Sequence, residues 1–307
     1  MKNVLVIYYT QSGQLLEIAQ NIVKKLEVSN EVSVVYHQIK PSKSYNFPWK
    51  KDNFFDAFPE SFLQIPCQLE EPEGDILNKK YNLVILAYQV WYLTPSIPIN
   101  SFLKSAQAKK VLNNTPVITV IGCRNMWIMA QEKVKTLLLE NQAELVANIA
   151  LVDRNINHIS VITISKWMFS GKKERYLGIF PKPGVSQKDI DESIKFGNPI
   201  LSSLLKSNYA NLQNELIGLG AVHIKPLLVS MDKRGNILFG KWANFIIKKG
   251  EAGDPKRKNR IRAFSNYLIF AIWLIAPIVF IVFLLTYLPS IGKIKRERNY
   301  YSSINLK

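Results

Sequence analysis

The chain has 307 residues, two Cys, three His, and 40 Lys+Arg against 23 Asp+Glu, a formal net charge of +17. Hydrophobic residues at 48% and charged residues at 21% exclude a disordered or collagen-like chain, and the length allows one large domain with extensions. Cys67 and Cys123 are too few for a disulfide framework or a Cys-rich zinc site, and His37, His158 and His223 form no paired motif, so no metal is expected.

Residues 3–9 are a short apolar run rich in β-branched and aromatic types, suited to a strand buried on both faces. Thr10-Gln11-Ser12-Gly13-Gln14 breaks it, and Leu15, Ile18, Ala19, Ile22, Val23 and Leu26 then recur at helical spacing. Further strands are predicted over 31–39, 83–89, 116–122 and 145–152, with helices from about Ile99 and from about Trp127 to Asn141. Alternation in this rhythm predicts a doubly wound α/β domain over residues 1–212, with five parallel strands.

Two insertions interrupt the rhythm. Residues 40–78 carry Phe47, Trp49, Phe54, Phe55, Phe58 and Phe62, which suit either a local mini-core or a lid over an apolar site. Residues 153–185 form the second insertion, after which Ser186 is placed to cap a helix running to about Asn208, with Pro199 as a point of kinking. Residues 213–250 read as an appended β-rich piece, two apolar runs separated by a turn at Asp232-Lys233-Arg234-Gly235. Residues 251–266 read as a basic linker, 267–289 as a membrane helix and 290–307 as a basic tail.

The charge is not spread evenly. Residues 254–307 hold ten Lys/Arg and two Asp/Glu, so +8 of the +17 flanks the uncharged run from Leu268 to Leu288. About 20 apolar residues span a bilayer's hydrocarbon core. A basic patch beside such a run points to membrane lipid as a partner and away from nucleic acid. Seven Lys/Arg precede the run and five follow it, which predicts a cytoplasmic body on a bacterial inner membrane. Pro277 within the run leaves both a spanning helix and one that dips in and returns on the same side open.

A strand, then Thr10 to Gln14, then a helix is the layout of a phosphate cradle. The hydroxyls of Thr10 and Ser12, the amide of Gln14 and backbone N–H groups would converge on an anion, with Gly13 allowing close approach and Gln11 within the same turn. The GxxxxGK[ST] pattern of a P-loop is absent, and Ser12 does not sit in a GxSxG elbow, which argues against a hydrolase. Two more loops leave the same sheet edge, one with Val90, Trp91 and Tyr92, the other with Gly122, Arg124, Asn125 and Trp127. A cradle beside aromatic loops suits an isoalloxazine ring, which needs a stacking face and hydrogen bonds around its rim. The expected cofactor is therefore FMN, and Tyr88 and Tyr92 are the candidate proton-transfer residues.

The YYTQSGQ string and the VWYLTPSIPINSFL segment resemble the flavodoxin-like superfamily, over about residues 1–208. Gln14 departs from the Thr or Asn common at that position. The opening on a body of this length is also similar to the dialkylresorcinol condensing enzyme family of flexirubin-type pigment clusters. That resemblance implies a membrane-associated flavin-dependent oxidoreductase that aromatises a dialkyl-cyclohexanedione, a lipophilic substrate, to a dialkylresorcinol. It also implies a ketosynthase of the same pathway as a partner. The alternative is a membrane-tethered flavodoxin-like electron carrier or quinone reductase.

Overall fold

The first apolar run folds as β1 (Lys2–Tyr8), and its alternation divides the core. Val4 and Val6 pack on one face of a sheet and Leu5 and Ile7 on the other, all fully buried. The computed structural model describes residues 1–306. After β1 come α1 (Gln14–Glu27) and β2 (Val32–Gln38). The first insertion holds two short helices, α2 (Lys51–Asp56) and α3 (Phe58–Phe62). Next are β3 (Leu83–Trp91), the two-residue β4 (Thr94–Pro95), α4 (Ile97–Leu103) and α5 (Ala106–Leu112). The domain continues with β5 (Pro116–Cys123), α6 (Ile128–Glu140), β6 (Glu144–Val152) and α7 (Asn157–Ser170). Then come α8 (Gln187–Glu192), α9 (Gly197–Lys206) and α10 (Leu212–Gly218).

The strand order is β2-β1-β3-β5-β6, with all four neighbouring pairs parallel, and β4 folds back antiparallel on β3. This is the flavodoxin-like doubly wound order expected from the sequence, with its switch point between β1 and β3. Helices α1 and α8 to α10 cover one face, and α4 to α6 cover the other. Ser186 does cap the helix that follows it, accepting from the Asp189 N–H at 3.1 Å. Pro199 lies in the first turn of α9, directly after a 3-10 turn, Ser193–Phe196, that separates α9 from α8, so the helix expected from Ser186 is interrupted just before the proline.

The C-terminal third departs from the expectation. Residues 213–250 are not β-rich: α10 completes one cover of the sheet, and α11 (Pro226–Ile247) is a single 22-residue helix. Asp232-Lys233-Arg234-Gly235 lies in the middle of that helix rather than in a turn. A Cβ on Gly235 would sit 3.0 Å from Leu93 Cδ1, so the glycine is there for close packing. Nor is 251–266 a free linker. Arg257 is fully buried, and α12 (Lys258–Phe270) continues through a π turn, Ala271–Ile275, into α13 (Ala276–Leu285). The helical stretch Pro255–Leu285, 31 residues, is long and apolar enough to cross a membrane, and its apolar part is exposed. The last helix, α14 (Ile291–Ser302), returns to the body and buries Tyr301 in the core of the sheet. The body therefore does not end at residue 212.

The aromatic insertion is a mini-core. Phe55, Phe58 and Phe62 cluster with Ala243, Ile246 and Phe264 of the C-terminal helices, with the Phe58 and Phe264 rings stacked at 3.7 Å. Trp49 and Ala57 form a second cluster with Ile97.

Candidate functional site

The loop between β1 and α1 lies at the carboxyl end of β1, beside the switch point. Gly13 holds φ +83°, a left-handed conformation that side chains rarely adopt, and the space where its Cβ would stand is open. No side chain caps α1, so the first-turn N–H groups of this 14-residue helix face the loop without a side-chain acceptor. Thr10 Oγ1 accepts from the Gly13 N–H at 3.2 Å and so shapes the turn. Ser12 is half-exposed beside it. Hydroxyls, an uncapped helix N-terminus and an open glycine make a donor set that fits a phosphate group.

The two glutamines of the loop face elsewhere. Gln14 Oε1 accepts from the Val185 N–H at 3.1 Å and its Nε2 donates to the Val185 carbonyl at 3.0 Å. Gln11 Nε2 donates to the Tyr45 carbonyl at 3.0 Å, and its Oε1 accepts from Trp49 Nε1 at 3.3 Å. Both side-chain amides fasten the cradle to the insertions, each using its oxygen and one of its two N–H donors there.

At the ring end, Trp91 is half-buried among Tyr9, Tyr45 and Trp49, with ring centroids 5.1–5.9 Å away. Val90 pairs with Pro95 in the short β3–β4 hairpin, which positions Trp91 at its tip. Gly122 lies under α1, where a Cβ would meet Leu15 Cδ1 at 3.1 Å. Arg124 Nη1 and Asn125 Nδ2 both donate to Asn157 Oδ1 at 2.9 Å, which joins this loop to the start of α7. Burial pushes the Arg124 guanidinium below its usual range. Asn125 Oδ1 is buried without a hydrogen-bond partner, an acceptor suited to a ring imide N–H.

Tyr88 and Tyr92 are not free acids or bases here. Tyr88 is fully buried, and its hydroxyl donates to Gln131 Oε1 at 2.7 Å, the head of a chain that runs on to Thr119 and Asn148. Tyr92 donates to the Phe54 carbonyl at 2.5 Å and packs between Phe54 and Phe58. Burial raises both phenols well above their ordinary value. Trp127 is a core residue, 3% exposed.

The site also uses residues with no signal of their own in the sequence. Asn157 anchors the Arg124 loop from 33 residues on, and Asp232 accepts from the Ile128 and Met129 N–H groups at 2.9 and 3.2 Å, capping α6 from 104 residues on. Tyr45 and Asn157 lie in the two insertions and Asp232 in the run read as a turn, but nothing local marks any of them as part of the site. A cleft of about 600 Å³, lined by Tyr8, Tyr36, His37, Lys40 and Cys67 among others, opens at the carboxyl ends of β1 and β2. Among the described residues no group of three or more His, Cys, Asp or Glu could hold a metal ion.

No protein-family model and no curated protein matches the chain. Among solved structures, it is similar to a flavoprotein of Lactobacillus acidophilus NCFM in complex with FMN: 16% identity, TM-score 0.35, covering 48% of this chain and 92% of that one. It is also similar to a protein assigned as a flavoprotein in Bacteroides eggerthii DSM 20697, at 13% identity, TM-score 0.38, covering 50% of this chain and 91% of that one. A third is the Trp repressor binding protein of Bacillus subtilis, at 14% identity and TM-score 0.28, covering 55% of this chain and 98% of that one. At these identities, with TM-scores no higher than 0.38, the likeness gives this chain neither a substrate nor an activity.

Proposed function

We propose that this chain is a membrane-associated, FMN-dependent oxidoreductase acting on a lipophilic ring compound. The observation that carries the reading is the uncapped N-terminus of α1 facing a left-handed Gly13 at the switch point of a flavodoxin-like sheet. Thr10, Ser12 and the amides of the loop would hold the single phosphate of FMN. Trp91 would wall the ring, and Asn125 Oδ1 would accept from its imide edge. When bound, FMN supplies two-electron acceptance from a substrate.

The aromatisation of a dialkyl-cyclohexanedione, implied by the family resemblance, is the specific form of this reading. Removing two hydrogens from the ring requires a proton acceptor, and the fixed, raised phenols of Tyr88 and Tyr92 are unsuited to that role. Membrane association is supported by the exposed 31-residue helix and its basic flanks.

The test is the visible absorption spectrum of detergent-purified full-length protein, with the released cofactor identified by mass. A flavin spectrum and FMN in equimolar amount are expected. Gly13→Val, forcing a β-branched residue into the left-handed region, should weaken FMN retention about tenfold or more. A colourless protein that takes up no added FMN would overturn the reading. FMN without oxidation of any lipophilic ring, together with electron transfer to a protein acceptor, would replace the enzyme with a carrier.

A further inference from the structure

The exposed apolar helix does not project from the body; it lies along it. Near its start, the rings of Phe264 and Tyr267 pack on Trp242 of α11 at 5.8 and 5.1 Å. Near its end, Val279, Val282 and Phe283 share a cleft with Pro226, Ser230 and Arg234 at the other end of α11. The two helices thus run antiparallel over most of their length.

The middle is fastened by a polar contact. In the π turn before Pro277, the Ile272 carbonyl would accept from the N–H of residue 277, which proline lacks. His158 at the start of α7 donates to that carbonyl instead, Nε2 to O 3.0 Å, with its ring 5.3 Å from that of Trp273. A carbonyl left open in hydrocarbon is costly, and here the body itself supplies the donor.

The chain beyond the helix returns to the same body. Lys233 Nζ meets Glu297 Oε1 at 2.8 Å, Gln213 Nε2 donates to the Ser302 carbonyl at 2.9 Å, and Lys135 Nζ donates to the Asn305 carbonyl at 2.8 Å. Tyr301 is buried in the core of the sheet. At the near end Arg257 is buried against Asp56 and Glu60 of the first insertion. A helix crossing the bilayer would place residues 291–306 on the far side and break the contacts that Glu297, Tyr301, Ser302 and Asn305 make with the body.

The helix is apolar over a broad exposed surface. Phe270, Leu274, Ile278, Ile281, Leu284 and Leu285 on it are 51–77% exposed. Lys258, Arg260 and Arg262 stand at one end of that surface and Lys293, Lys295 and Arg296 at the other. Basic side chains at both ends suit anionic headgroups, and the contacts above hold both ends on the body's side.

We propose that α12 and α13 lie in the plane of one leaflet, on the body's own side, so that the protein is monotopic and never crosses the bilayer. This rests on the membrane association proposed above and adds its geometry. The cradle loop and both basic flanks then face the same aqueous compartment.

The test uses the full chain carrying Cys67→Ser and Cys123→Ser, with one new cysteine at either flank, Lys256→Cys or Lys295→Cys. One portion of the membranes is washed with alkaline carbonate to test retention, and separate, unwashed sealed vesicles of both orientations are treated with a membrane-impermeant maleimide. The expected result is retention in the pellet, with both positions labelled in the same vesicle orientation and both protected in the other. Labelling in opposite orientations would overturn the in-plane seat while leaving membrane association standing. Loss of the protein to the carbonate supernatant would overturn membrane association and the seat together. A parallel measurement keeps both native cysteines: short epitope tags at the two termini of the otherwise unaltered chain are challenged with protease in the same vesicles. Cleavage of both tags from one side is expected, and cleavage from opposite sides would overturn the proposal.

Discussion

Two ionic clusters hold the C-terminal helical pair to the α/β body, and they are built in opposite ways. Around Arg257 every donor has an acceptor. Nε meets Asp56 Oδ1 at 2.7 Å, Nη1 meets Glu60 Oε1 at 2.6 Å, and Nη2 donates to Glu60 Oε2 at 3.0 Å and to the Asp56 carbonyl. The guanidinium is driven above its usual range by those hydrogen bonds and charges, against the opposing effect of burial. Around Asp232 the pairing is incomplete. One carboxylate oxygen caps α6, whereas Oδ1, Asn236 Oδ1 and the Lys133 ammonium are buried without partners. Lys133 rests instead 4.1 Å from the centre of the Phe62 ring. Burial pushes the Asp232 carboxyl up to about 7 and the Lys133 ammonium down to about 8. The first cluster is a lock; the second is a joint that changes charge near neutral pH, beside the loop that carries Arg124 and Asn125.

Three experiments would break or sharpen that contrast. The largest effect is expected for Arg257→Ala, which leaves two carboxylates facing a desolvated gap. A loss of about 3–5 kcal/mol is anticipated for opening such a pair, read as a thermal-unfolding midpoint lower by roughly 5–15 °C. Arg257→Lys should recover little of it, because an ammonium cannot reproduce the fork. A variant as stable as the wild type would show that the cluster is not a lock.

The paired substitution Asp232→Asn with Lys133→Met comes next. Asparagine keeps an acceptor for the two α6 amides while both buried charges are removed, so the variant should equal the wild type or exceed it by about 1–3 kcal/mol at neutral pH. A comparable loss instead would make the joint as tight as the Arg257 cluster.

The smallest effect is a slope. A carboxyl raised from 3.8 to about 7 binds its proton more tightly in the folded chain than in the unfolded one. Its contribution to stability is whole below the ordinary value and is lost as pH rises through about 7. Between pH 5 and 7.5 the wild type should therefore lose stability relative to Asp232→Asn, by at most roughly 2–3 kcal/mol. Parallel pH profiles would show that Asp232 does not titrate there.

The contrast also marks where the sequence could be read. The strands and α1 were legible because their apolar spacing directly reports burial, as at Val4 to Ile7 and Leu15 to Leu26. That Thr10, Ser12 and Gly13 share one turn between β1 and α1 was legible because such a turn is local, its parts lying within a few residues of backbone. Helix α11 was misread as two strands because β-branched residues and a Gly after charged residues imitate a hairpin. What decides the matter is tertiary: Asp232 points into the body to cap α6, and Gly235 lies against Leu93. The buried Arg257 was read as linker for the same reason, since its acceptors lie about 200 residues away. The ties of the Gln11 and Gln14 side-chain amides to Tyr45, Trp49 and Val185 could not be read, because those partners lie 34 to 171 residues away.

The pair of hydrogen bonds between Gln14 and Val185 has a consequence for the timing of synthesis. They join residues 171 positions apart, and they need Gly184, where a Cβ would stand 2.7 Å from Gln14 Oε1 and 2.8 Å from Trp167 Cζ3. The first loop to leave the ribosome is thus among the last to be finished. At about 5–20 residues per second, on the order of 10–35 s separates the two halves of that contact. During that interval β2 and β3 emerge and can flank β1, while the loop after β1 still lacks its fastening to Val185. The loop is accordingly completed only once Val185 has emerged, and that point still precedes synthesis of the apolar run from Leu268.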